Sequence, residues 1–435
     1  MLSLPARLPR IATGIMGACL VVAIGLGAEP PKADDIPLGN RTAAEMSRQD
    51  VFALAAGLAD LGRQMFHDTS LSASGAMSCA SCHDPAHGYA APNALPVQLG
   101  GADMKQPGLR NVPSLTYIQS SPAFAEHFFD NEDEGDESVD NGPTGGLTWD
   151  GRADRGSAQA VIPLLSDFEM GNRDKAAVVA ELARAGYADG FRKLYGADIF
   201  NDPKRAFDVA TQALESYEED DASFYPYSSK YDAYLKGVVQ LSDQEKHGLD
   251  LFNAEDKGNC ASCHLSQPAN DGAPPQFTDF GLLGLGVPRN PDIPANRDPN
   301  YFDLGACGPL RSDLREHPEY CGIFLSPSLR NVALRQSFFH NGEFHKLRDV
   351  VEFYATRDTN PEKWYPKRPD GTIAKFDDLP RQYWDNINTD PPFGGKPGDK
   401  PALTDSEIDD VVAFLKTLTD GYFDPATGKV LASGS

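Results

Sequence analysis

Methionine stops at residue 170. The 435-residue chain has seven, Met1, Met16, Met46, Met65, Met77, Met104 and Met170, so a metal bound in its second half has no thioether to draw on. Positive charge is scarce as well: 39 Lys and Arg stand against 63 Asp and Glu, a formal net charge of −24. That balance excludes nucleic acid as a natural partner and is compatible with plain solubility or with a basic protein partner. Past residue 28 no apolar run is long enough to cross a bilayer, so no span is expected in a mature chain. His67, His87, His127, His247 and His317 have no metal-like spacing and read as surface or supporting groups.

The N-terminus is different. Arg7 and Arg10 precede an uncharged run, Ile11 to Ala28, that ends in the small residues GLGA. This reads as a signal peptide over 1–28, cleaved near Gly27 or Ala28, and points to the periplasm. The run is also just long enough to stay as an anchor. Seven cysteines then sort simply. Cys19 lies in the leader, four belong to a repeated motif, and Cys307 and Cys321 are left to pair in an oxidising compartment.

The motif is CASCH, at 79–83 and again at 260–264. Two cysteines with a histidine directly after the second make the attachment pattern of a covalently bound c-type haem, the histidine facing the iron. A zinc site would need further Cys or His ligands nearby, and neither copy has a second CxxC. Similar text precedes both copies, LADLGRQMFHD…GAMSCASCH and EKHGLDLFNAEDKGNCASCH, an internal repeat of one helical haem-binding unit. With 40 Gly and 34 Pro, long irregular loops are expected around these units.

The opposite face of each iron is less constrained. In KLRDVVEFYATRD (346–358), Leu347, Val350, Val351 and Tyr354 fall at i, i+3, i+4 and i+7, the buried stripe of an amphipathic helix. Tyr354 should therefore point inward, as a core residue or as the sixth ligand of the second haem. The other downstream candidates are His317, His340 and His345, with His340 the alternative to Tyr354. Between the haem motifs, LTWDGRADRGSAQAVIPLLSDFEMG (147–171) carries Trp149, Gln159, Pro163 and Glu169. Glu169 and Gln159 are chemically fit to move a proton between peroxide oxygens and to polarise the departing one. Trp149 is oxidisable and fit to relay an electron. Each also has an ordinary reading, Glu169 and Gln159 as solvent-facing groups and Trp149 as packing. The acidic run DNEDEGDE (130–137) reads as a solvated loop that could also guide a basic partner.

Together, WDGRAD…Q…P…EMG, the two haem motifs, LRNVPSL (109–115), PSLRNVAL (327–334) and HNGEFHKLRDVVEFY (340–354) resemble the bacterial dihaem cytochrome c peroxidase/MauG family over residues 50–420. The pattern is closest to the MauG and MbnH-like oxidases that modify a partner protein. The resemblance implies a mainly α fold of two cytochrome c-like haem domains with long irregular loops: 41–235 around the peroxide-reacting haem and 236–425 around the electron-handling haem. It makes Cys79, Cys82 and His83 the attachment and ligand of the first haem, and Cys260, Cys263 and His264 those of the second. It sets Trp149 between the haems and Gln159, Pro163 and Glu169 over the open face of the first. It also implies a calcium ion between the domains, held by Asn111 and by the backbone carbonyls of Arg335 and Ser337. Relatives have Thr-x-Pro at that last pair, and here the text is Arg-Gln-Ser.

Two departures from conventional peroxidases matter. Those often carry a histidine after the first haem motif that blocks its iron until reduction, and the matching ALPVQLGGADM (94–104) has none. The first haem should be open without reductive activation. Where those peroxidases take a methionine for the second haem, this chain offers Tyr354, the MauG pattern. The implied function is a periplasmic enzyme that uses hydrogen peroxide to form a two-haem high-valent state and oxidise an aromatic residue of a partner protein. The alternatives are a peroxidase fed by a small cytochrome or cupredoxin, and a non-catalytic dihaem electron carrier.

Overall fold

A computed structural model describes residues 36–129, 140–270 and 272–431. The expected signal peptide, with Cys19, and the acidic run 130–137 lie outside the described residues. The fold is mainly helical. The helices are α1 (Arg48–Phe66), α2 (Cys79–Cys82), α3 (Gly156–Leu165), α4 (Lys175–Leu182), α5 (Ala188–Tyr195), α6 (Pro203–Asp220), α7 (Lys230–Leu235), α8 (Asp243–Asn253), α9 (Leu347–Thr356) and α10 (Asp405–Lys416). Among the described residues, strands are limited to two-residue antiparallel pairs, β1 (Leu99–Gly100) with β2 (Gln106–Pro107) and β3 (Leu282–Leu283) with β4 (Phe324–Leu325). Among the described residues, no helix is long and apolar enough to cross a membrane.

Each long helix starts on a local signal. Ser47, Ser242 and Thr404 cap α1, α8 and α10 with reciprocal capping boxes to Asp50, Glu245 and Glu407. Asp202 caps α6, with Pro203 in its first turn. Their apolar faces then pair, α1 on α6 and α8 on α10.

Buried side chains gather in two large clusters. One holds Leu61, Phe66, Leu164, Phe191, Phe207, Leu214 and Phe224. The other holds Phe252, Phe277, Val351, Phe353, Ile408 and Phe414. Helix α7 lies before the 235/236 boundary expected from the sequence, yet its Tyr231 packs into the second cluster and its backbone N–H donates to the Thr417 carbonyl. The Tyr231 ring also meets Phe414 of α10 edge-on at 5.4 Å. A third, smaller cluster surrounds the Cys307–Cys321 disulfide.

A pair of matching arginines ties together segments far apart in the chain. Arg110 forms a fork with Asp303 at 2.6 and 2.7 Å and reaches Asp150 at 2.7 Å. Arg330, fully buried, forms a fork with Asp232, 2.9 Å on each arm, and lies over the rings of Tyr117 and Tyr227. Buried charges of this kind persist because each is paired and hydrogen-bonded.

Candidate functional site

Both CASCH segments are tight single turns placed just after the first helix of a helix pair. His83 Nδ1 lies 3.0 Å from the Tyr89 carbonyl, and His264 Nδ1 lies 2.9 Å from the Phe277 carbonyl. A carbonyl can only accept, so Nδ1 carries the proton and Nε2 keeps the lone pair for a metal. Both carbonyls come from aromatic residues in left-handed backbone, Tyr89 at φ 54° and Phe277 at φ 55°. Bulky side chains rarely adopt that region, so the surrounding packing must impose it. Burial pulls both imidazoles down to about 4, which leaves them neutral and able to ligate.

The four motif thiols are also enclosed. Burial pushes Cys79 and Cys260 up to about 12 and Cys82 and Cys263 up to about 11. A zinc site or a reactive dithiol needs thiolate, whereas a thioether is neutral. Among the described residues, no group of three or more His, Cys, Asp or Glu could hold a metal ion. This environment fits covalent haem better than a thiolate centre.

A large apolar cavity supplies room for a planar macrocycle at the second motif. Cys260, Cys263, His264, Tyr354 and His340 line it, and it continues to Trp149, Gln159 and Pro113 beyond the second cluster. The stripe expected to face inward does so: Val351 belongs to the second cluster and Leu347, Val350 and Tyr354 pack against it. All four also line the cavity. Phe353 on the same helix is fully buried against Phe344 and Trp364. Burial raises the Tyr354 hydroxyl, with Cys263 and Cys260 adding to the rise and Arg357 opposing it. His340 is held elsewhere in the cavity wall, its ring stacked on Phe324 at 3.6 Å and its Nε2 4.0 Å from Asp378.

Around the first motif the predicted residues spread over one helix and the turn after it. Gln159 and Pro163 both sit in α3. Proline has no N–H to give the Gln159 carbonyl one turn back, which loosens the helix at that point. Gln159 lines the cavity, whereas Glu169 and Pro163 do not. Glu169 lies close enough to Cys82 and Cys79 to raise their thiols. Burial raises the Glu169 carboxyl, with Ser166 and Arg152 pulling the other way. Its backbone is seated on the β1–β2 hairpin, where Gly101 N–H donates to the Glu169 carbonyl at 2.7 Å. A Cβ on Gly100 would come within 2.4 Å of the Phe168 carbonyl. The 94–104 segment, which lacks the blocking histidine, thus cradles the acid.

Trp149 is buried between the two clusters. Its indole N–H donates to the Asn111 carbonyl at 2.7 Å, and its own carbonyl accepts from Leu325 N–H on β4 at 2.8 Å. The residues expected to hold calcium do not fit that ion. The Arg335 guanidinium donates to Asn111 Oδ1 at 2.9 Å, so the oxygen meant for a metal already faces a cation.

Sequence reasoning missed Glu218. It is buried on α6, pushed up to about 8 by burial and then by Glu215 and Glu219, and it acts on Cys79. The signal was present: Glu218 is one helical turn after Leu214 on the apolar stripe.

Fold and motifs define a helical dihaem protein. The chain belongs to the di-haem cytochrome c peroxidase/MauG family and is an oxidoreductase of that type: the family profile described as "Di-haem cytochrome c peroxidase" matches residues 56–240. The methylamine utilization protein MauG of Paracoccus denitrificans is 33% identical over 399 residues, which cover 88% of this chain and 92% of that one. The cytochrome c551 peroxidase of Pseudomonas aeruginosa is 30% identical over 67% of this chain and 70% of its own. The crystal structure of the diheme peroxidase BthA from Burkholderia thailandensis superposes with a TM-score of 0.72 at 38% identity, covering 86% of this chain and 90% of that one.

Proposed function

We propose that the protein is a periplasmic dihaem oxidase that uses hydrogen peroxide to oxidise an aromatic residue of a partner protein, with both haems held as covalent c-type groups. Tyr354 carries this reading. It lines the cavity beside Cys260 and Cys263, no residue hydrogen-bonds its hydroxyl among the described residues, and no methionine follows Met170. Burial alone keeps the phenol protonated, but a haem iron held at this motif would favour the phenolate, because a cation on the oxygen stabilises the conjugate base and the proton is released to solvent. An anionic oxygen ligand favours oxidised iron over ferrous iron. The stacking of His340 on Phe324 supports Tyr354 over His340 in this role.

Haems bound at the two motifs would supply the reaction with peroxide and hold the oxidising equivalents it yields. The chain does the rest. Glu169, its carboxyl raised by burial, takes and returns a proton between the peroxide oxygens more evenly than a solvated acid. The Gln159 amide donates a hydrogen bond to the departing oxygen. Trp149, its ring orientation fixed by Asn111, relays an electron between the halves.

The test adds one equivalent of peroxide to the as-isolated diferric protein. Both haem spectra should change together without prior reduction, and a response that requires pre-reduction would sink the reading. The similarity to a cytochrome c551 peroxidase and to BthA supports a second reading, peroxide turnover with electrons from a small cytochrome or cupredoxin. Sustained consumption of a reduced cytochrome, without modification of any protein, would select it.

A further inference from the structure

Asn111 is a junction between the two clusters. Its backbone N–H donates to the His340 carbonyl at 2.7 Å, and its carbonyl accepts the Trp149 indole. Its side-chain Nδ2 donates to Ser337 Oγ at 2.6 Å. That bond fixes the amide so that Oδ1 faces Arg335. The Arg335 guanidinium then donates Nη2 to Asn111 Oδ1 at 2.9 Å and to the Val112 carbonyl at 3.0 Å, and Nε to the Ser337 carbonyl at 3.3 Å.

Two oxygens assigned from the resemblance to a calcium ion, Asn111 Oδ1 and the Ser337 carbonyl, are therefore acceptors for one guanidinium. Calcium takes six to eight oxygens at roughly 2.3–2.6 Å. Here the oxygens surround a flat fork of N–H donors instead, and no carboxylate ion-pairs with Arg335 among the described residues. Arg335 lines the cavity, and its charge is felt at His83. The neighbouring Gln336 Nε2 reaches the Pro92 carbonyl at 3.3 Å and His87 Nε2 at 3.2 Å, so the same loop docks on the segment after the first haem motif.

We propose that Arg335 is the cation of this junction: its guanidinium takes the place of calcium, docks the 335–342 loop on the first half and holds Asn111 beneath Trp149. A cation carried on the chain cannot be chelated or lost in a calcium-poor medium. The assembled dihaem protein therefore has no calcium requirement. The inference does not depend on which partner the enzyme oxidises or on Tyr354 ligation.

The experiment uses the full dihaem holoprotein, treated with EGTA and desalted. Elemental analysis should find far less than one calcium per chain. The ferric haem spectra, the melting temperature and the spectral response to peroxide should be the same in EGTA and in millimolar calcium. Arg335→Ala in EGTA should melt lower and show an altered spectrum at the first haem. Millimolar calcium or guanidinium ion should restore both, a rescue that a merely structural side chain would not give. Stoichiometric calcium in the wild type, with a spectrum that changes on its removal, overturns the proposal. So does an Arg335→Ala protein that matches the wild type in EGTA. If that variant fails to accumulate, the wild-type calcium content and EGTA response decide the matter alone.

Discussion

Gly62 on α1 and Gly248 on α8 occupy matching places in the two halves. A Cβ at Gly62 would come within 1.9 Å of the Ala213 carbonyl on α6, and one at Gly248 within 2.0 Å of the Asp410 carbonyl on α10. One turn later, Phe66 and Phe252 pack edge-on against Tyr89 and Phe277, the two residues whose carbonyls orient His83 and His264. The side of each site that holds its histidine is thus built twice to one plan. The residues proposed for the opposite sides share nothing: a buried carboxyl and an amide in the first half, a tyrosine ring in the second. On that proposal the repeat keeps attachment and varies reactivity.

The strongest way to break this comparison is Glu169→Gln. Haem content should persist while the rate of reaction with peroxide falls about 10²–10⁴-fold, the usual contribution of a positioned acid or base. Stopped-flow absorbance checks it, and a loss below tenfold would remove Glu169 from the chemistry.

Tyr354→Phe acts on the other half. The second haem should change its ligation, the first should still meet peroxide, and the coupled two-haem response should vanish. An unchanged electronic spectrum would rule out a phenolate ligand.

Gly62→Ala and Gly248→Ala sharpen the shared part. Each forces a methyl into a carbonyl and should cost on the order of 1–3 kcal/mol in chemical denaturation, by similar amounts in the two halves. A clearly unequal pair would mean that the two helix crossings are not equivalent.

The smallest effect separates α6 from α10. Glu218 is buried on α6, whereas the buried residues of α10 are all apolar. With its carboxyl pushed up to about 8, native Glu218 holds a proton that the unfolded chain has already lost above the ordinary value of 4.5. Between those limits stability falls as pH rises, by at most about 1.4 kcal/mol per pH unit. Glu218→Gln should flatten that slope between pH 5 and pH 8 in melting experiments.

Much of this was legible in the residues. The doubled CASCH, the matching text before each copy and the paired cysteines 307 and 321 carry strong local patterns. The helical class follows from the apolar periodicity of the haem-binding units and from the family resemblance. Three features were not legible, for separate reasons. The left-handed carbonyls of Tyr89 and Phe277 come from tertiary packing that overrides their backbone preference. The stripe on α9 was legible as inward-facing, but not that it lines a cavity as well as packing on the second cluster, because periodicity does not distinguish a core from a cavity wall. The Arg335 guanidinium was overlooked because the resemblance directed attention to its carbonyl, and the reach of a long side chain is invisible in a one-dimensional text.

The Asn111 amide has one more consequence. Its main chain steadies the tryptophan and its side chain bonds the opposite half, so the proposed relay would tie conduction and assembly to a single residue. Halves that drift apart would then slacken that path before either haem site was lost. Under the proposed function a partly opened molecule would fail silently, with full colour and no long-range oxidation.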